Sequence, residues 1–203
     1  MAAFKEKTAQ LVEIEKECRA GGLEFSEFKP GQKGSPGRMF MTLKSGTDLK
    51  IQTPRGFVVW EVGEAETSIS LRVTAAPDES ADERDYRVQF VATMRALQGA
   101  ILKYVEANSE TVWGKTLSSD QVTDRFKPFF KPMNEEQADF GPTIRVRFGV
   151  NPDAGFSFTV YNEDRQRVVY DEKNSDRTKL FEKGAWMTCM IRPGGVWSIE
   201  HAV

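Results

Sequence analysis

Arg145 and Arg147 stand two residues apart in the run Thr143-Ile-Arg-Val-Arg-Phe148, where Ile144, Val146 and Phe148 alternate with them. A strand sends both guanidinium groups to one face and the three apolar side chains to the other. Arginines so spaced suit contact with successive phosphates or stacking on bases. Lys50, Arg55, Arg72 and Arg192 also fall on strand-like segments or tight turns, and Arg55 and Phe57 flank Gly56, where a backbone can come close to a ligand. Aromatic surface is expected from Phe57, Trp60, Phe158, Tyr161, Trp186 and Trp197. A base stacked on such a ring gains ~1–3 kcal/mol, and because every base has a π face the contact tolerates any sequence. Against this stands the ordinary reading, in which strand aromatics fill a core and an arginine pair is a solvated outer face.

Catalytic chemistry finds less support. His201 is the only histidine, which leaves little material for a metal site or a Ser-His pair. The segment Gly31-Gln-Lys-Gly-Ser-Pro-Gly37 holds glycine, lysine and serine without the spacing of a phosphate loop, and no carboxylate pair of the kind a two-metal nuclease needs is evident. Cys18 and Cys189 are far apart and lack metal-ligand spacing, so two reduced thiols of an intracellular protein are expected. The expectation is a binding protein, not an enzyme, without cofactor or metal.

With 203 residues and a net charge of −2, the chain can bury a sizeable core but is no uniformly basic binder. A binding face must come from local segregation of charge. Such segregation is visible: residues 31–60 carry Lys33, Arg38, Lys44, Lys50 and Arg55 against Asp48, whereas residues 61–85 are dominated by Glu and Asp. No apolar run reaches the ~20 residues a membrane span needs, and the N-terminus lacks the apolar stretch of a signal peptide.

The elements that must position these residues follow from periodicity. Residues 4–19 favour a helix ended by Gly21-Gly22, read as a charged extension over residues 1–22 outside the main fold. Residues 38–43 and 49–53 read as a hairpin across the turn at 44–48, and two further extended segments follow at 57–62 and 68–73. Residues 84–107 form the one strong helix, with Val91, Met94, Leu97, Ile101 and Val105 on one face. Ser118 and Gln121 match a capping box that starts a second helix, which Pro128 ends. Strands resume at 143–148, 156–160 and 167–170, and the last twenty residues read as a hairpin across Gly194-Gly195 with Trp186 and Trp197 in its arms. The order is strands, two helices, strands. It predicts a mainly β fold over residues 23–203, an OB-fold-like antiparallel barrel with one long and one short helix midway.

Several stretches carry a family resemblance. Phe25-Ser-Glu, the basic loop after it, Met39-Phe-Met-Thr-Leu43, Leu49-Lys-Ile-Gln-Thr-Pro54 with Gly56, and Ser68-Ile-Ser-Leu-Arg-Val73 resemble the N-terminal half of the OB-fold single-stranded DNA-binding proteins of large eukaryotic DNA viruses. The long helix, Val112-Trp113-Gly114-Lys115, Pro128 and Lys131 ahead of Tyr161 resemble that family's middle. Residues 180–184 with Gly195-Val-Trp197 resemble its C-terminal hairpin. The resemblance spans residues 23–203, and Gln52-Thr53-Pro54 and Gly-Val-Trp are its most specific parts. It implies an OB-fold, a part in DNA replication, single-stranded DNA and replication proteins as partners, homodimers, and a viral replication site within a host cell. The family continues past the Gly-x-Trp turn with another strand and ends in an acidic tail, and this sequence shows neither.

Two function classes therefore stand side by side. One is a single-stranded DNA-binding protein of replication, recombination or repair, working through a basic and aromatic groove. The other is a β-barrel assembly protein that offers Trp197 and an unpaired last strand to a partner by strand addition.

Overall fold

The computed structural model describes residues 2–31, 37–60, 68–131, 141–147, 150–151, 155–156, 159–162, 164, 166–167, 181–193 and 195–198. The chain divides into two compact units. Unit 1 comprises Met1–Pro54, Asp78–Phe129 and Met190–Val203, and unit 2 comprises Arg55–Pro77 and Phe130–Cys189.

Unit 1 is built around two helices. In α1 (Ala2–Arg19) the apolar Leu11, Ile14 and Cys18 recur at spacings of three and four and are buried. In α2 (Ala81–Ala107) the buried stripe runs Tyr86, Phe90, Thr93, Met94, Leu97, Ile101, Val105. The two stripes pack together, and the buried Thr93 hydroxyl donates to the Leu11 carbonyl at 3.0 Å. The α2 start is fixed by Ser80, whose hydroxyl accepts from the Glu83 N–H while the Glu83 carboxylate accepts from the Ser80 N–H. Two short helices follow, α3 (Ser109–Trp113) and α4 (Ser119–Arg125), the latter opened by the Ser118/Gln121 capping box that the sequence predicts.

Strands β1 (Leu23–Phe25), β2 (Gly37–Leu43) and β11 (Gly195–Ser198) form an antiparallel sheet with β2 at its centre. Alternation along β2 is strict: Gly37, Met39, Met41 and Leu43 are buried, and Arg38, Phe40 and Thr42 are exposed. The buried side meets the helices, with the Phe25 ring stacked on Tyr104 at 3.8 Å. A second pairing joins β3 (Ile51–Gln52) to β10 (Met190–Ile191), and the Tyr86 hydroxyl anchors it by donating to the Gln52 carbonyl at 2.6 Å.

Unit 2 holds a four-stranded antiparallel sheet of β4 (Gly56–Val58), β5 (Ser68–Arg72), β6 (Thr143–Arg147) and β9 (Trp186–Met187), in the order β6-β5-β4-β9. Val58, Ile69, Leu71 and Ile144 make its buried face. Glycine is required at position 56 because a Cβ there would lie 2.7 Å from the Arg72 carbonyl oxygen. A separate pair, β7 (Val150–Asn151) and β8 (Gly155–Phe156), completes the described strands.

This architecture corrects the expected OB-fold-like barrel. Helix and strand are mixed, and among the described residues no sheet closes on itself. The physical reason lies in pairing. The segments either side of the 44–48 turn do not form a hairpin, because β2 pairs with β1 and β11 while β3 pairs with β10. The arms around Gly194-Gly195 also separate, β10 going to β3 and β11 to β2. The last strand is therefore paired on one side, with β2, and is an edge strand of that sheet among the described residues. Instead of an outlying extension, α1 is one half of the helix pair on which unit 1 is built.

Candidate nucleic-acid interface

In an antiparallel sheet, residues directly opposite each other and residues two apart along a strand share a face. That rule places five of the sequence-predicted site residues on one face of the unit 2 sheet. Trp186 stands opposite Phe57, Phe57 opposite Arg72, and Arg72 opposite Thr143. The next rows on the same face are Ser70 opposite Arg145, then Ser68 opposite Arg147. Beyond β6 the Phe130–Ile144 bridge brings Lys131 alongside Thr143. The Lys131 N–H donates to the Thr143 carbonyl at 2.9 Å, and its Nζ donates to the Ser70 hydroxyl at 3.1 Å.

The face has two chemistries. At the β9 end the Phe57 and Trp186 rings meet edge to face at 5.5 Å, and the Arg72 guanidinium lies over Phe57 at 5.4 Å. Trp186 remains 40% exposed, so one large ring stays open to a ligand. At the β6 end Arg145 and Arg147 are exposed and form no ion pair among the described residues. Between the cations lies a floor of small hydroxyl side chains, Ser68, Ser70 and Thr143, all buried. No Asp or Glu occupies a described position on this face. Cations beside an open aromatic ring can hold phosphates and stack bases at once.

The other expected site residues stand elsewhere. Arg55 is half-buried just ahead of β4, and Trp60, 61% exposed, lies past the end of that strand. Tyr161 is exposed and bridges to Arg167 outside the sheet. Phe158 lies outside the described residues. Lys50, Arg192 and Trp197 belong to unit 1. Lys50 is exposed, and Trp197 pairs with Arg38 in the β2–β11 register. Arg192 is already engaged: its Nη2 donates to both Asp48 carboxylate oxygens at 3.0 and 2.8 Å. That hydrogen bond holds the Asp48 carboxyl below the usual carboxylate range and raises Arg192 above its ordinary value.

Sequence reasoning missed Lys131 and the hydroxyl floor as parts of the face. The signal was present in β5, where Ser68 and Ser70 share the parity of Arg72. Other chemistry is sparse: among the described residues no group of three or more His, Cys, Asp or Glu is placed to hold a metal ion. No helix of the described residues is long and apolar enough to cross a membrane. Neither cysteine is in a disulfide, and burial pushes the Cys18 thiol up to about 11 and the Cys189 thiol to about 12.

Comparison with known proteins gives no match: no family model, no curated protein and no solved structure is similar to this chain.

Proposed function

We propose that the protein binds single-stranded DNA without sequence preference, on the polar face of the β6-β5-β4-β9 sheet, and serves replication, recombination or repair, the processes that expose single strands. One observation carries the reading. Arg72, Arg145, Arg147 and Lys131 share a face with the Phe57–Trp186 pair, while the opposite face is apolar and buried. Phosphates meet the cations and release counterions, and bases stack at the aromatic end. The protein acts by binding alone. The assembly-module alternative took the last strand as unpaired; β11 is paired with β2 on one side and stands at the edge of that sheet among the described residues.

Fluorescence anisotropy of a labelled oligo-dT, titrated with salt and repeated on duplex DNA, tests the reading. The expected result is binding that prefers the single strand and weakens as salt rises. Replacing Arg145 and Arg147 together with alanine should flatten the logarithmic salt slope by about 1.4, at ~0.7 per lost phosphate contact. An unchanged slope removes both arginines from the site. Absence of binding at low salt overturns the proposal.

A further inference from the structure

Unit 1 carries a second face of similar chemistry, independent of the first. The outward side of the β1-β2-β11 sheet presents Arg38, Phe40 and Thr42. Phe40 is 47% exposed. Its cross-strand neighbours are too small to cover it. On one side is Ser26, whose N–H donates to the Phe40 carbonyl at 2.9 Å and whose hydroxyl accepts from the Phe40 N–H. On the other side is Gly195, paired with Phe40 in the β11 register. A side chain cannot be added there, because a Cβ on Gly195 would lie 2.3 Å from the Met39 carbonyl oxygen. The close approach of β11 to β2 therefore leaves the ring uncovered on that side.

Cations border that ring. The Arg38 guanidinium stands 5.8 Å from the Phe40 ring centroid. Lys29 bridges to Arg38 through two backbone hydrogen bonds of 2.8 Å, and Trp197 is the register partner of Arg38 on the other side, giving a row Lys29–Arg38–Trp197. Neither Lys29 nor Arg38 forms an ion pair among the described residues. At the far end Glu24 sits opposite Thr42 on the same face, so positive charge is confined to the Lys29–Arg38 end.

We propose that this face is a second single-strand site, in which a base stacks on Phe40 and the adjoining phosphates meet Arg38 and Lys29. The occupant follows from the combination. A half-exposed ring accepts any base, and two cations beside it, neither in an ion pair among the described residues, suit a polyanion whose bases are free to unstack. A duplex offers phosphates but no free base face. The site stands on its own residues and does not depend on the unit 2 face.

The test uses the whole chain and a labelled oligo-dT of about eight nucleotides, short enough to saturate sites one at a time. Two oligonucleotides should bind per chain. The double variant R38A/F40A should reduce this to one, with Phe40→Ala alone weakening that site about 5- to 150-fold. Both side chains are exposed, so the fold should hold, and an unchanged thermal melt checks it. Photocrosslinking of 5-iodouracil oligonucleotide to the unaltered protein supplies an independent readout, with the adduct expected at Phe40. Loss of binding in the Arg145/Arg147 variant, with R38A/F40A unchanged and no adduct at Phe40, overturns this site and leaves the unit 2 reading standing. The converse pattern keeps this site and overturns the unit 2 reading. No binding by the unaltered chain overturns both.

Discussion

At the scale of single residues, the proposed reading of the unit 2 face assigns stacking to Trp186 and phosphate contact to the arginines. Trp186 is the open ring, and Phe57 supports it from the side while carrying Arg72 on its own face. Trp186→Ala should therefore weaken oligo-dT binding by about 1–3 kcal/mol with little change in salt slope, since it removes stacking but no charge. A fall in slope equal to that of an arginine variant would show that Trp186 acts by positioning cations instead. Tyr86 illustrates a residue whose role is stability. Its hydroxyl donates to the Gln52 carbonyl at 2.6 Å, and burial pushes its pKa from 10.0 up to about 12. Because the folded value lies above the unfolded one, the unfolded chain gives up this proton first. The stabilisation is complete below pH 10 and is lost as pH rises towards 12. Tyr86→Phe should cost about 1 kcal/mol at neutral pH and flatten the alkaline fall. The buried thiols contribute an earlier part of that fall, above pH 9. Urea melts of both proteins from neutral to alkaline pH check the point, and parallel curves would remove Tyr86 from the alkaline limb.

At the scale of elements, α1 shows how a charged sequence can conceal a core helix. Glutamates and lysines surround Leu11, Ile14 and Cys18, yet those three positions are nearly inaccessible, and Ile14 is 0% exposed. Ile14→Ala should destabilise the fold by about 2–5 kcal/mol, as a core truncation does, whereas a frayed extension would lose nothing measurable. Chemical denaturation of the variant decides between them. What was legible in the sequence was local. The α2 stripe from Met94 to Val105 and the Ser118 capping box depend on residues within a few positions of each other, and the structure has them, whereas β5 is buried on both of its faces. Strand partners were not legible. The turn at 44–48 and the Gly194-Gly195 pair carry hairpin chemistry, but β2 and β10 each found longer-range partners in β11 and β3. Turn residues permit a hairpin without requiring one when another edge buries more apolar surface. The same distinction explains the site. Side-chain parity put Arg145 with Arg147, but only the register between strands brought Arg72, Phe57 and Trp186 into line with them.

For the whole molecule, a net charge of −2 means that no long-range field draws a polyanion in. On the proposed reading, affinity comes from cations gathered on particular faces, and its salt dependence counts them. The unit 2 face offers Arg72, Lys131, Arg145 and Arg147, and the unit 1 face adds Lys29 and Arg38. Arg192 is left out because Asp48 already neutralises it. At ~0.7 of a counterion per phosphate on a single strand, the unit 2 face alone gives a logarithmic salt slope of about −3. The two cations of the unit 1 face give about −1.4 by themselves. Isotherms of the eight-nucleotide oligo-dT across a salt series should therefore resolve two slopes in the unaltered chain and one, near −3, in the R38A/F40A variant. A single slope near −3 in the unaltered chain would mean that the unit 1 cations do not meet phosphate. A slope near zero would mean that neither face does, and that any binding rests on the aromatic rings alone.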